Sequence, residues 1–282
     1  MRANLELTRA ETMPARETKP HDHAAVAKRA TVGEFHRQFD LDLVKALAEQ
    51  LEQALSNLTP APLRSPFVPQ LGTEQGVYGL YRSGSLVYVG KADNLRTRLD
   101  DHRCKISGRK NIHLDEMTFS ALYVSANWTA LAPETSLIRH FRRAGLCEWN
   151  GNGFGPHDPG RHRELTDKRP DGFDMQYPIV DEWAVAEVKA GRYSALDLLV
   201  LLKQSLPYLL RYEVEEADGK KGSYRKGHTA YRDVFVEVSG DAMSARDLLK
   251  LVADQLKWQA TVFPSHMILY NETHRYKFGK TL

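Results

Sequence analysis

Leu41, Leu43, Val44, Leu47, Leu51 and Leu55 recur mostly three or four positions apart, which predicts an amphipathic helix. Residues 1 to about 32 are polar, charged and aperiodic, and read as a flexible tail. From Thr59 to Pro69 (TPAPLRSPFVP) the prolines argue against a helix interior or a paired strand, so a stiff extended connector is expected. Residues 33–70 thus form a helix and a proline-rich lead-in. The period then changes. Gly76–Tyr81 and Ser85–Val89 are short β-prone runs joined by Arg82-Ser83-Gly84, the signal of a hairpin.

Asp93 and Asn94 can cap a helix running through Leu95 and Leu99 to about Ile106. Thr118–Ser125 reads as a strand. Pro133 suits the first turn of a helix carrying Leu137, Ile138, Phe141 and Ala144, with Gly145 as its stop. The order is therefore strand, strand, helix, strand, helix. Residues 150–178, rich in Gly, Pro, His and Arg, read as a long loop, and loops of that length are often functional. From Asp181 the pattern restarts. A helix is expected over Ser194–Leu206, a turn at Asp218-Gly219, a strand over Arg232–Val238, a helix over Ala245–Trp258 and a strand over His266–Tyr270. There is no internal repeat. The expected class is α/β in the broad sense (α+β). One domain spans residues 71–180, and residues 181–282 form an extension or a second domain with no recognisable chemistry.

The longest apolar run, Leu198–Leu202, is far too short to cross a membrane. The first residues carry Arg2, Glu6 and Arg9 and lack the apolar core of a signal peptide, so a cytoplasmic protein is expected. Cys104 and Cys147 are far apart, which excludes a disulfide framework and a CxxC zinc signature. A net charge of +3 neither requires nor forbids a nucleic-acid partner. The distribution is more telling. Between Arg139 and Arg169 lie Arg142, Arg143, Arg161, Arg163 and Lys168 with His140, His157 and His162, opposed by Glu148, Asp158, Glu164 and Asp167. Such a stretch suits a polyanion, although a solvated helix face followed by a polar loop would look the same.

Val77-Tyr78 in GVYGLY, followed by Tyr88-Val89-Gly90 in VYVGKA, resembles the paired-tyrosine motif of the GIY-YIG nuclease superfamily. Downstream, Arg98 and His102 resemble its arginine helix, Glu134 its metal-binding glutamate and Asn150 its closing asparagine, all in the family's order. The segment from Glu134 to Asn150 is longer than the family pattern, through Arg142–Gly145, and Asn152 stands as a substitute for Asn150. The loop GFGPHDPGR, Gly153–Arg161, is similar to one in GIY-YIG restriction endonucleases that cut CCGCGG. Those enzymes also carry an N-terminal helix and a proline-rich lead-in, which widens the resemblance to roughly residues 36–178.

The resemblance implies a small sheet flanked by helices and a Mg²⁺-dependent endonuclease, with Mn²⁺ as a substitute. Tyr78, Tyr88, Arg98, His102, Glu134 and Asn150 would be catalytic, with Glu134 on the metal. The chemistry is coherent. One phenol can accept a proton when cations lower its pKa, arginine can hold the scissile phosphate in a fork, and histidine can relay a proton. Taken singly, strand tyrosines pack an edge, and Arg98 with His102 marks an exposed helix face. Lys91, His157, Asp158, Arg161 and Arg163 are candidates for DNA contact. Arginine pairs with guanine and a carboxylate accepts from cytosine, so a G/C-rich palindrome is expected, though phosphate contact or loop support would use the same residues. A palindrome implies a homodimer or higher oligomer on double-stranded DNA, with a cognate DNA methyltransferase in the same system. The alternatives are a GIY-YIG nuclease of repair or mobile-element transfer, and a catalytically silent DNA-binding protein.

Overall fold

The structure, a computed structural model, describes residues 42–125, 134–143, 145–155, 158, 160–217 and 220–282, with backbone only at 43–44, 134–137, 143, 216–217 and 220–221. The expected tail over residues 1–32 lies outside the described residues. Strands β1 (Ala61–Pro62), β2 (Gly76–Arg82), β3 (Ser85–Ala92) and β4 (Met117–Tyr123) form an antiparallel sheet in the order β1-β4-β2-β3. The β2–β3 turn forms because Ser83 and Gly84 adopt φ of 48° and 84°, the two-residue geometry that matches strand twist. One expectation is corrected here. The proline-rich lead-in does contain a paired strand, Ala61↔Phe119 and Pro62↔Thr118. Proline is tolerated because β1 is only two residues long and lies at the sheet edge.

Helix α1 (Leu43–Ser56) starts at Asp42, whose carboxylate accepts from the Lys45 amide at 2.9 Å. Helix α2 (Leu95–Ser107) is capped by Asn94, which accepts from the Thr97 amide at 3.0 Å. Its buried positions are Leu95, Leu99, His102 and Ile106, so the histidine occupies a place in an otherwise apolar stripe. Helix α3 (Glu134–Arg143) packs on α1 and β3. Strand alternation divides the core. Val77 and Val89 face α1 and α3 with Ala48, Leu51, Leu55 and Phe141, whereas Tyr78, Leu80 and Tyr88 face α2. A bulge shifts the β2–β3 register between Leu80 and Tyr81.

The stretch 150–178 is not structureless. It holds two short helices, α4 (His162–Leu165) and α5 (Phe173–Gln176). Phe154, Phe173 and Tyr177 fold inward against Trp149, so a polar-looking segment has an aromatic core of its own. Beyond it come β5 (Gly191–Ser194), α6 (Ala195–Ser205), β6 (Leu209–Tyr212), β7 (Glu216–Ala217), β8 (Lys220–Lys221), β9 (Phe235–Val238), α7 (Ala245–Leu256), β10 (Gln259–Val262), β11 (His266–Tyr270) and β12 (Lys280–Thr281). A second sheet runs β12-β10-β11-β6, with β6 and β11 parallel. The strand expected from Arg232 begins only at Phe235, because Thr229–Tyr231 is a 3₁₀ turn. The last helix stops at Leu256, two residues before Trp258, because Lys257 turns left-handed at φ 58°. Asp218-Gly219 lies outside the described residues. Asp42–Leu282 forms one unit, and Arg109 ties distant segments of it together. Its buried guanidinium donates to Asp174, the Tyr177 carbonyl and the Pro264 carbonyl at 3.0, 3.0 and 3.1 Å. Among the described residues no helix is long and apolar enough to cross a membrane.

Candidate active site

Tyr78 on β2 and Tyr88 on β3 do not point outward. They are 1% and 7% exposed, and His102 from α2 is 5% exposed. The three rings form a tight triangle, with centroids 6.1 Å apart for the two tyrosines and 5.5 Å from His102 to each. The Tyr78 hydroxyl lies 2.7 Å from His102 Nε2, a direct hydrogen bond. Tyr78 pairs with Gly90 across the hairpin, and the glycine there has a steric reason. A Cβ at Gly90 would come within 2.4 Å of the Tyr78 hydroxyl and 2.8 Å of the Tyr88 ring. Any larger residue would push the phenols out of place.

Burial, with the charges of Lys105 and Arg98 behind it, lowers the His102 pKa to about 3. The imidazole is therefore neutral at physiological pH. An unprotonated Nε2 can accept a hydrogen bond from the Tyr78 hydroxyl and so orient that oxygen. Arg98, half-buried, lies one turn before His102 on the same helix. Arg96 instead donates to the Leu71 carbonyl at 2.5 Å.

Asn150 pairs with the backbone of Val89, the residue after Tyr88. Its amide accepts from Val89 N–H at 2.9 Å and donates to the Val89 carbonyl at 2.8 Å. Cys147 and Trp149 amides donate to the Leu86 and Val87 carbonyls at 3.3 and 3.0 Å, so residues 147–150 lie along the outer edge of β3. Asn150→Ala leaves two buried backbone groups without these partners. It is expected to destabilise the fold by about 1–3 kcal/mol, read from urea unfolding. A wild-type midpoint would remove Asn150 from this role. Asn152, the substitute position, instead donates to the Asp171 carbonyl at 2.8 Å and accepts from Arg169.

Glu134 is the first residue of α3, at the end where the helix dipole favours a carboxylate; its side chain and His157 lie outside the described residues. Among the described residues no group of three or more His, Cys, Asp or Glu could hold a metal. One carboxylate completed by waters and phosphate oxygens is a sufficient set for Mg²⁺, so Glu134 fits such an ion without a cluster. Lys91 is half-buried on β3.

Of the remaining candidates, Asp158 is ion-paired with Arg211, Arg161 with Glu213, and Arg163 with Asp174. Burial would raise the Asp174 pKa, but Arg109 and Arg163 outweigh it and hold the carboxyl below its usual range. The structure brings Tyr78, Tyr88 and His102 together. It places Asp158, Arg161 and Arg163 against other partners.

Three residues with no role expected from the sequence bear on the site: Phe154, Lys105 and Gly155. Phe154 stacks on His102 at 4.8 Å with a 22° interplanar angle and meets Tyr88 edge-on at 5.0 Å. Lys105, one turn beyond His102, donates to the Phe154 carbonyl and lies over its ring. Gly155 admits no side chain either, since a Cβ would lie 2.4 Å from the Tyr88 hydroxyl. The available signal was a lone phenylalanine between two glycines in a polar stretch.

The paired tyrosines on a hairpin, backed by a helix that carries Arg98 and His102, keep in space the order of the motif read from the sequence. Residues 78–178 match the family model of the Eco29kI GIY-YIG domain, a restriction endonuclease family, and this part of the chain is a GIY-YIG nuclease domain. The match takes in Tyr78 and the whole stretch through Pro178, and stops where the C-terminal region begins. No curated protein matches the chain.

Proposed function

We propose that the protein is a type II restriction endonuclease that hydrolyses double-stranded DNA at a short, G/C-rich palindrome with Mg²⁺, or Mn²⁺ in its place. The observation that carries this reading is the buried Tyr78–His102 hydrogen bond at 2.7 Å, inside a domain matched to a restriction family. Attack on a phosphodiester requires that a water lose a proton while charge develops on the phosphate. In this reading a tyrosine, ionised to its phenolate, takes the water's proton, and the hydrogen bond to neutral His102 holds the Tyr78 oxygen in place. Arg98 holds the phosphate, and Asn150 keeps β3, with Tyr88, in register. A cation on Glu134 would supply electrostatic stabilisation of the phosphate and of the leaving oxygen.

Asp158, Arg161 and Arg163, with His157 and Lys91, would contact DNA, arginine and carboxylate suiting guanine and cytosine edges. Each site cuts one strand, so a palindrome calls for two copies of the chain. A methyltransferase of the same specificity would protect the host DNA, and both would act in the cytoplasm. The test is incubation with unmethylated plasmid, with and without Mg²⁺, followed by mapping of the ends. Discrete fragments ending at one palindrome are expected. Random nicks or branch-specific cuts would move the protein to a nuclease of repair or element transfer, and absence of any metal-dependent cut would leave a silent DNA-binding protein.

A further inference from the structure

Residues 181–282 contribute no described group to the tyrosine–histidine site, yet they grip the loop that precedes them. Nε of Arg211 donates to Asp158 Oδ2 at 3.1 Å, and a terminal nitrogen of the same guanidinium donates to Oδ1. The other terminal nitrogen donates to Glu164. That carboxylate is 1% exposed and also accepts from the Tyr270 hydroxyl at 3.2 Å. Arg161 donates to Glu213 at 2.6 Å and lies 4.0 Å over the Tyr270 ring. Arg211 and Tyr270 stand on the paired strands β6 and β11, and Glu213 continues the pairing through its amide to the Leu269 carbonyl at 3.1 Å. The anchors therefore belong to a sheet, while the groups they hold belong to a loop.

A fully buried carboxylate without a cationic partner is strongly unfavourable, so Glu164 commits Arg211 to one position. The rest of the planar fork then fixes Asp158, which lysine's single ammonium could not do at both carboxylates with the same geometry. Side chains that read base edges must be held to within a fraction of an ångström. We propose that Arg211 is a specificity-determining positioning residue. It joins Asp158 to Glu164 and presents Asp158 and residues 160–164 to DNA in one shape, and the C-terminal sheet is the frame for that presentation. The inference rests on the reading that this loop contacts bases.

Arg211→Lys in the full chain tests it with two measurements. Hydrogen exchange of the amides at 158–166 reports the clamp without DNA. The ratio of cleavage at the mapped site to cleavage at sites altered by one base pair reports specificity. Exchange is expected to quicken at least roughly tenfold, and the ratio to fall at least roughly tenfold, while the rate at the mapped site stays within about threefold. Unchanged exchange overturns the clamp. Quicker exchange with an unchanged ratio overturns the specificity role, leaving the nuclease reading intact. A wild-type enzyme that cuts without sequence preference overturns both the base-reading role of the loop and the assignment to Arg211. Should Arg211→Lys fail to fold, Asp158→Asn keeps the buried Glu164–Arg211 pair and weakens only the other arm of the clamp. Exchange at 158–166 is expected to quicken, and unchanged exchange overturns the proposal.

Discussion

Glu134→Ala is expected to abolish cleavage, by roughly 10³-fold or more, while duplex affinity in the absence of metal stays within a few-fold of wild type. The change is mild for the fold. Alanine is a better helix former than glutamate, and loss of a carboxylate from the first turn of α3 costs about 0.3–1 kcal/mol. A large kinetic effect with a small stability effect would therefore place the carboxylate in the chemistry. The measurement is single-turnover cleavage of a one-site duplex across a Mg²⁺ titration, beside fluorescence anisotropy for binding. Cleavage at the wild-type rate would mean that Glu134 holds no essential cation.

Tyr78→Phe is the second large effect, a fall in cleavage of roughly 10²–10⁴-fold with the aromatic packing intact. The ring remains, so contact with Tyr88 and His102 persists, and only the hydroxyl at 2.7 Å from Nε2 is lost. Stability is expected to drop by about 1 kcal/mol, the ordinary effect of one buried hydrogen bond. A variant that cuts within threefold of wild type would take Tyr78 out of the proton path. The pH behaviour follows from His102, whose native pKa of about 3 lies below its ordinary 6.5. As pH falls below 6.5 the unfolded chain takes up a proton that the native imidazole refuses. Stability therefore declines with acid, by up to about 1.4 kcal/mol per pH unit from this group. The cleavage profile should show no inflection near 6.5 from His102. An inflection there that disappears in His102→Gln would contradict a neutral buried imidazole.

Much of the catalytic arrangement was legible because it is local. The hairpin followed from two β-prone runs around Ser83-Gly84, and the α2 cap from Asn94 just ahead of an apolar stripe. Tyr78, Tyr88, Arg98 and His102 were singled out by the resemblance of their order to the paired-tyrosine motif, and the pattern of the chain placed each on a strand or helix. What escaped was of four kinds. Pro62 pairs because an edge strand of two residues asks for little backbone donation, a tolerance no propensity expresses. The four-residue helices at His162 and Phe173 are too short to show a helical period. Phe154 was invisible as a wall of the site because its partners, Tyr88 and His102, lie on other elements. Asn150 was expected only as the motif's closing asparagine, and its partner is the main chain of Val89.

The segment Cys147–Asn150 along β3 has a further consequence. An outer strand with bare amides and carbonyls invites the same strand of another molecule, the usual route to edge-to-edge aggregation. Here the chain occupies Leu86, Val87 and Val89 with its own backbone and with an asparagine side chain that imitates one. The opposite edge begins with a proline-bearing pair, and proline has no amide hydrogen to offer. If the protein acts as two copies on a palindrome, as proposed, they are turned away from fusing their nuclease-domain sheets through β3.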